Sequence, residues 1–214
     1  MLIVRLISYK RMNQPDTTPD RLLAAARALF GARGFERASV RAITRAAGAN
    51  LGAVTYHFGS KDRLRDAVLA DMVGGLAQRL RAAADLPLPA RERLPRLVAA
   101  VFDYAAEHPD GPPLLVRWVL QHERLPAEAA AHQRALLDAV SRVIREGTAA
   151  GEFRAVNPVF AAFSLLSQCV WFHLIRATAA QASGLPLDQP EAAAAMQAHI
   201  ADVLLRSLAP DGGA

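Results

Sequence analysis

The 214 residues and 23.0 kDa, with 52% hydrophobic and 21% charged side chains, give one or two globular domains with a real core and exclude a disordered chain. One cysteine, Cys169, excludes an intrachain disulfide and a zinc site built on two or more cysteines; 6% aromatics and proline–glycine punctuation between long Ala/Leu/Arg stretches predict an all-α fold rather than a β-sandwich, a barrel or a Rossmann domain, and no GxGxxG or GxxxxGK[ST] run occurs. The net charge of +5 is uneven: residues 1–65 hold 12 basic and 4 acidic side chains (+8), residues 66–214 hold 13 basic and 16 acidic (−3), so a polyanion partner is expected at the N-terminal end only.

Residues 1–17 read as a lead-in. The apolar start is broken at Arg5 and lacks the h-region and cleavage site of a secretory signal, so residues 1–11 are a start-site extension or a disordered tail. Thr18-Pro19-Asp20 predicts a helix start, with a hydroxyl N-cap, proline at N1 and a carboxylate against the positive helix end. Leu22, Ala26, Leu29 and Phe30 follow at helical spacing, and Gly34 is the predicted stop. Ser39 is placed to cap a second, short helix through Ala47, Asn50 a third ending at Phe58-Gly59, and Ser60 a fourth running towards Ala84 with Leu64, Val68 and Met72 on one face.

Beyond the corner at Asp85–Arg91, helices are predicted over Arg91–His108, Pro112–His122, Ala127–Ala150, Val159–Ala182 and Glu191–Leu208. Pro158–Ile175 is free of charge for 18 residues, the lower edge of a membrane span, but Ser164, Ser167, Gln168 and His173 favour a buried helix of a soluble bundle at a subunit contact. The division is therefore 18–66 for a small N-terminal helical domain and 67–210 for a larger one.

Two short helices around Ala47-Gly48-Ala49 make a helix-turn-helix pattern, the glycine supplying the left-handed backbone of a tight turn. Val40, Ile43, Ala47, Val54 and Phe58 form its small core. At about 100° per residue, with Val54 inward, the outward surface of the second helix is Gly52, Ala53, Thr55 and Tyr56, with Leu51 and His57 at the margins. These side chains are small or hydrogen-bonding and none is acidic, which suits close entry into a major groove. The helix N-termini at Ser39 and Ser60 offer amides to phosphates, and Lys61 is one of only two lysines, the other 23 basic residues being arginine.

The segment from Ser39 to Leu64, SVRAITRAAGANLGAVTYHFGSKDRL, closely resembles the DNA-binding signature of the TetR family of bacterial regulators, and the likeness spans Arg21 to Val68 with Ala28-Leu-Phe and Gly34-Phe35 upstream. The resemblance implies an N-terminal helix-turn-helix domain, a C-terminal ligand-sensing domain and a homodimer. It implies phosphate contacts at Ser39, Tyr56 and Lys61, with Arg41 and Leu51–Ala53 nearest the bases; Asn50, Thr55 and His57 complete the expected DNA-binding set. The chain departs from the family at Val54-Thr55, where Leu-Tyr is common, and at Thr44 and Ala49, which affects transfer of operator sequence rather than fold.

In the larger domain, Phe102, Trp118, His122, Gln168 and Phe172 are the candidate ligand-binding residues, drawn from three helices; the aromatics among them either line a pocket or form plain core. Gln168 is preferred over Ser167 because its longer amide both donates and accepts. Since this domain is not basic, a neutral or weakly charged, largely apolar effector is expected. Cys169 in its apolar run reads as a buried, inert thiol. His108, His122, His132 and His173 lack HxxxH or CxxC spacing, so neither metal nor cofactor is expected. Arg117 and Gln168 need partners if buried, and Asp103 with Glu107 reads as a solvated face. The sequence thus predicts a cytoplasmic, dimeric, ligand-responsive regulator of transcription, most simply a repressor. An effector-independent DNA-binding dimer, architectural or protein-partnered, is the alternative, and a small helical enzyme is disfavoured by the lack of a nucleophile–base pair or metal cluster.

Overall fold

A computed structural model describes residues 17–121 and 124–210. Among the described residues the chain is helical and has no strand: α1 (Thr18–Arg33), α2 (Val40–Ala46), α3 (Ala53–Phe58), α4 (Lys61–Ala84), α5 (Ala90–Glu107), α6 (Gly111–Gln121), α7 (Ala127–Ala149), α8 (Pro158–Ser183) and α9 (Pro190–Leu208). The chain divides into two compact units within α4, one through Leu69 and one from Ala70.

In the first unit, α1 begins one residue earlier than its sequence suggests. Thr17 is the cap, because only that residue stands three before Asp20: its hydroxyl accepts from Asp20 N at 3.4 Å while the Asp20 carboxylate accepts from Thr17 N at 3.3 Å. Leu22, Ala26 and Phe30 of α1, Ala38, Ile43, Ala47 and Val54 make the core. Burying each leucine- or phenylalanine-sized side chain contributes about 1.5–3 kcal/mol.

The second unit is a bundle whose core joins α5, α7, α8 and α9 through Leu97, Val101, Val140, Ile144, Leu165, Cys169, Ile200 and Leu204. Its corners carry the polar work. Pro89 leaves the start of α5 without a side-chain cap, and Glu152 supplies one from a distance, accepting from Ala90 N (3.2 Å) and Arg91 N (2.9 Å). Arg93, buried, donates to the Ala84 carbonyl at the end of α4 (2.9 Å) and pairs with Glu146 (2.6 Å). Gly147 of α7 leaves room that the Phe153 ring fills.

α8 is long and apolar enough to cross a membrane by length and composition. It nevertheless packs on α7, α5 and α9 through Ala162, Leu165, Leu166, Cys169 and Phe172, while Phe160 (70% exposed), Phe163 and Trp171 (60%) face outward. Two polar expectations change here. Arg117 is exposed and needs no buried partner. Glu107 is not simply solvated but takes an ion pair from Arg79 of α4, whereas Asp103 is exposed.

Candidate nucleic-acid interface and sensing cavity

The helix-turn-helix is built by local bonds. Ser39 caps α2, its hydroxyl accepting from Ala42 N at 3.2 Å. Gly48 takes φ +61° with open space around its Cβ position, and Ala49 N closes the turn on the Thr44 carbonyl at 2.9 Å. Arg21 of α1 fixes the turn by donating through Nε to the Ala47 carbonyl at 3.1 Å. Thr44, the departure from the family pattern, is buried and returns its hydroxyl to the Arg41 carbonyl.

On α3, Tyr56 is 85% exposed and stands edge-on to the His57 ring at 4.8 Å; Leu51, Gly52 and Thr55 are also exposed, as are Asn50 and Arg41. Ala53 corrects the expected outward surface: it is only 5% exposed. α3 packs against both α1 and α2, so its buried arc is wider than a two-helix wheel allows. Asn50 does not cap α3 through its side chain, and Gly52 occupies the cap position.

Lys61 does not project freely. Its ammonium lies 4.1 Å from the Phe35 ring centroid and donates to the Glu36 carbonyl at 3.4 Å. Ser60 does cap α4, accepting from Arg63 N at 3.1 Å. A concavity beside α3 is lined by Thr18, Arg21, Gly48, Ala49, Asn50, Ala53, Tyr56 and His57. Thr18 and Arg21 escape a reading of the sequence because their place beside α3 depends on how α1 crosses it, which no local spacing carries.

The second unit holds a cavity of about 60 Å³ between α4, α5, α7 and α8 with the start of α6. Its wall is almost wholly carbon, from Met72, Leu76, Val101, Ala105, Leu115, Leu136 and Val170 among others. The polar residues on it are Tyr104, Gln133 and His173.

None of the described ligand-binding candidates drawn from the sequence lines it. Phe102 and Phe172 stack on each other at 5.7 Å between centroids, one layer behind His173. Trp118 is buried and donates its Nε1–H to the Arg124 carbonyl. Gln168 turns its amide back to the Ser164 carbonyl at 3.0 Å. His122 lies outside the described residues.

The discrepancy is one of helical phase. Val101, Tyr104 and Ala105 share a stripe of α5 that excludes Phe102, and Val170 and His173 share one of α8 that excludes Gln168 and Phe172. Among the groups of the second unit, burial pushes the Cys169 thiol up to about 12, as the inert reading requires. Burial also holds the His173 imidazole below its usual range, opposed by its bond to the Cys169 carbonyl and assisted by Arg176.

Comparison with known proteins finds two family profiles along the chain. The profile of bacterial regulatory proteins of the TetR family matches residues 22–68, and that of the tetracyclin repressor-like C-terminal domain matches residues 91–204. The HTH-type transcriptional repressor NicS of Pseudomonas putida is 30% identical over 204 residues, covering 92% of this chain and 95% of that protein. Among solved structures, the TetR family regulator PfmR of Thermus thermophilus shares the fold at a TM-score of 0.71 and 24% identity, covering 88% of this chain and 98% of that one. The ketosteroid transcriptional regulator KstR2 of Mycobacterium tuberculosis does so at 0.71 and 20%, covering 92% and 98%.

The protein is an all-α transcription regulator with an N-terminal DNA-binding helix-turn-helix and a C-terminal helical domain. It belongs to the TetR family, and its function is that of a ligand-responsive, DNA-binding transcriptional repressor. Regulators of this family bind operator DNA and small-molecule effectors and act as dimers.

Proposed function

We propose that this repressor works in the cytoplasm as a homodimer. It presents two α3 helices to successive major grooves of a near-palindromic operator, about 34–36 Å apart, and releases it when a small, largely apolar effector fills the cavity of the second unit. The observation that carries the reading is the solvent-facing, acid-free surface of Leu51, Gly52, Thr55, Tyr56 and His57 on a fixed helix-turn-helix. Ser39, Tyr56 and Lys61 are assigned to phosphates, and Arg41, Leu51, Gly52 and Thr55, with Asn50 and His57 at the margins, to base edges and thymine methyls. Ala53, being buried, is assigned to the packing of α3 rather than to a base. The outward apolar side chains of α8, Phe160, Phe163 and Trp171, with Val203 of α9, support an isologous four-helix contact between subunits.

The effector works by preferring a conformer that spaces the recognition helices differently, with a coupling of about 1–3 kcal/mol between the sites. The carbon-walled cavity favours this over the effector-independent architectural reading. No catalytic role is assigned. Selection of bound sequences from random and genomic DNA tests the proposal: one near-palindrome should emerge, and binding with no preference over random DNA at moderate salt overturns it.

A further inference from the structure

Phe35 stands in the connection between α1 and α2, half-buried, and two cations of α4 lie against its ring. The Lys61 ammonium is 4.1 Å from the ring centroid and the Arg65 guanidinium carbon 4.4 Å. Residues at this spacing share one face of a helix, so both side chains reach the same ring. Phe35 is itself anchored. Its ring makes a tilted contact with that of Phe30, 5.3 Å between centroids, and Phe30 belongs to the buried core of the unit.

The two cations differ in how much of their charge is already matched. Arg65 pairs with Asp62 and with Asp66, each at 3.3 Å. Lys61 donates only to a neutral group, the Glu36 carbonyl at 3.4 Å, and no carboxylate partner stands beside it among the described residues. An ammonium has three donors. The ring and the carbonyl take up two, and Lys61 is not fully buried, so a phosphate can be bound without giving up either contact. The long, flexible lysine stem loses rotamer freedom whenever its ammonium is fixed on a ligand. Here that ordering is in place before DNA arrives, which lowers the cost of the contact. Only an aromatic ring gives this hold, because the attraction comes from the negative face of the ring.

We infer that Phe35 is a positioning residue for DNA binding, its ring holding the Lys61 ammonium where it meets a phosphate. Arg65, matched by its two carboxylates, shares the ring without expelling the lysine. The inference rests on the assignment of Lys61 to a phosphate and adds a residue that acts through Lys61 rather than on the DNA.

A double-mutant cycle on the full-length protein tests it. The unmodified chain, Phe35→Leu, Lys61→Ala and the two combined are each titrated by fluorescence anisotropy against a labelled duplex of random sequence across a salt series. Such a duplex suffices because phosphate contacts do not depend on sequence. Phe35→Leu should weaken binding by about two- to fivefold for each DNA-binding unit engaged, the factor that an exposed cation–π contact supplies. Phe35→Tyr, which keeps the negative face, should restore it. In the Lys61→Ala background Phe35→Leu should have no further effect, a result that a merely structural phenylalanine would not give. Equal losses in both backgrounds, or no loss from Phe35→Leu where Lys61→Ala does weaken binding, overturn the inference and leave Lys61 on its phosphate. If Lys61→Ala changes neither affinity nor salt slope, the phosphate assignment and the inference fall together. Should Phe35→Leu fail to fold, stepwise fluorination of the Phe35 ring drains its negative face at nearly constant shape. Binding that falls with each fluorine only when Lys61 is present supports the inference, and binding indifferent to fluorine overturns it.

Discussion

Tyr104 and Met72 are joined across α5 and α4 by a hydrogen bond of 2.8 Å from the phenol to a main-chain carbonyl. The approach depends on Gly75, where an added Cβ would stand 2.8 Å from that same hydroxyl. On the other side of the pair, Gly74 gives room to the His132 ring of α7, 3.1 Å from its own would-be Cβ. The adjacent glycines let α4 sit close to both neighbours at the level of the cavity.

The cost of closing that gap is measurable. Gly75→Ala should destabilise the second unit by about 1–3 kcal/mol despite alanine's better helix propensity, because the half-buried ring, held by its bond to the Met72 carbonyl, cannot retreat freely. Tyr104→Phe should cost about 1 kcal/mol for the lost bond. Urea unfolding of the two variants checks both values, and a Gly75→Ala protein as stable as the parent would show that Tyr104 has room to move.

At the DNA face, Lys61→Ala should weaken binding to all sequences alike and reduce the slope of log K against log salt by about 1. Arg41→Ala or Thr55→Val should instead alter sequence preference. Fluorescence anisotropy on specific and random duplexes across a salt series separates the two. A change in preference from Lys61→Ala would place that residue at a base.

Assembly rests on α8. Phe163→Arg or Trp171→Glu, both at exposed positions, should leave the fold intact by circular dichroism and give monomers at micromolar concentration that no longer hold a full operator. Sedimentation velocity decides, and an undisturbed dimer would move the contact elsewhere.

The Cys169 thiol makes stability depend on pH in a defined direction. Its folded value, raised from 9.0 to about 12, means that the native state keeps the proton where the unfolded chain loses it. Its contribution is therefore complete below pH 9 and lost as pH rises towards 12, by at most about 1.4 kcal/mol per pH unit. Cys169→Ala should flatten the loss between pH 9 and 11 in urea titrations, and native Cys169 should resist thiol reagents at neutral pH.

The DNA-binding unit is readable from the sequence because its determinants are local. A cap at Ser39, a turn glycine at Gly48 and apolar residues three or four apart fix α2 and α3 whatever else the chain does. What escapes there needs a third helix: α1 buries Ala53 and brings Arg21 to the turn. The cavity is legible as an expectation but not in its residues. Helix spacing says which side chains share a stripe, yet which stripe meets a void rather than a neighbour is set by how α4, α5, α7 and α8 cross. Large aromatics are the natural candidates for the void. Phe102 and Phe172 instead satisfy each other, and the shorter stripe of Val101, Tyr104 and Ala105 is left facing the space.

The Lys61 ammonium, resting over Phe35 at the foot of the DNA-binding unit, has one further use. Arginine fills 23 of the 25 basic positions, so amine-selective acylation has only Lys61 and Lys10 to modify among the side chains of the whole molecule. A brief pulse of such a reagent, read by peptide mass spectrometry, would report operator occupancy as shielding of one native atom, with no dye, tag or engineered residue. The same scarcity protects the protein's charge: enzymes that acetylate lysines could neutralise almost none of the positive field that draws it to nucleic acid, since guanidinium groups lie outside their chemistry.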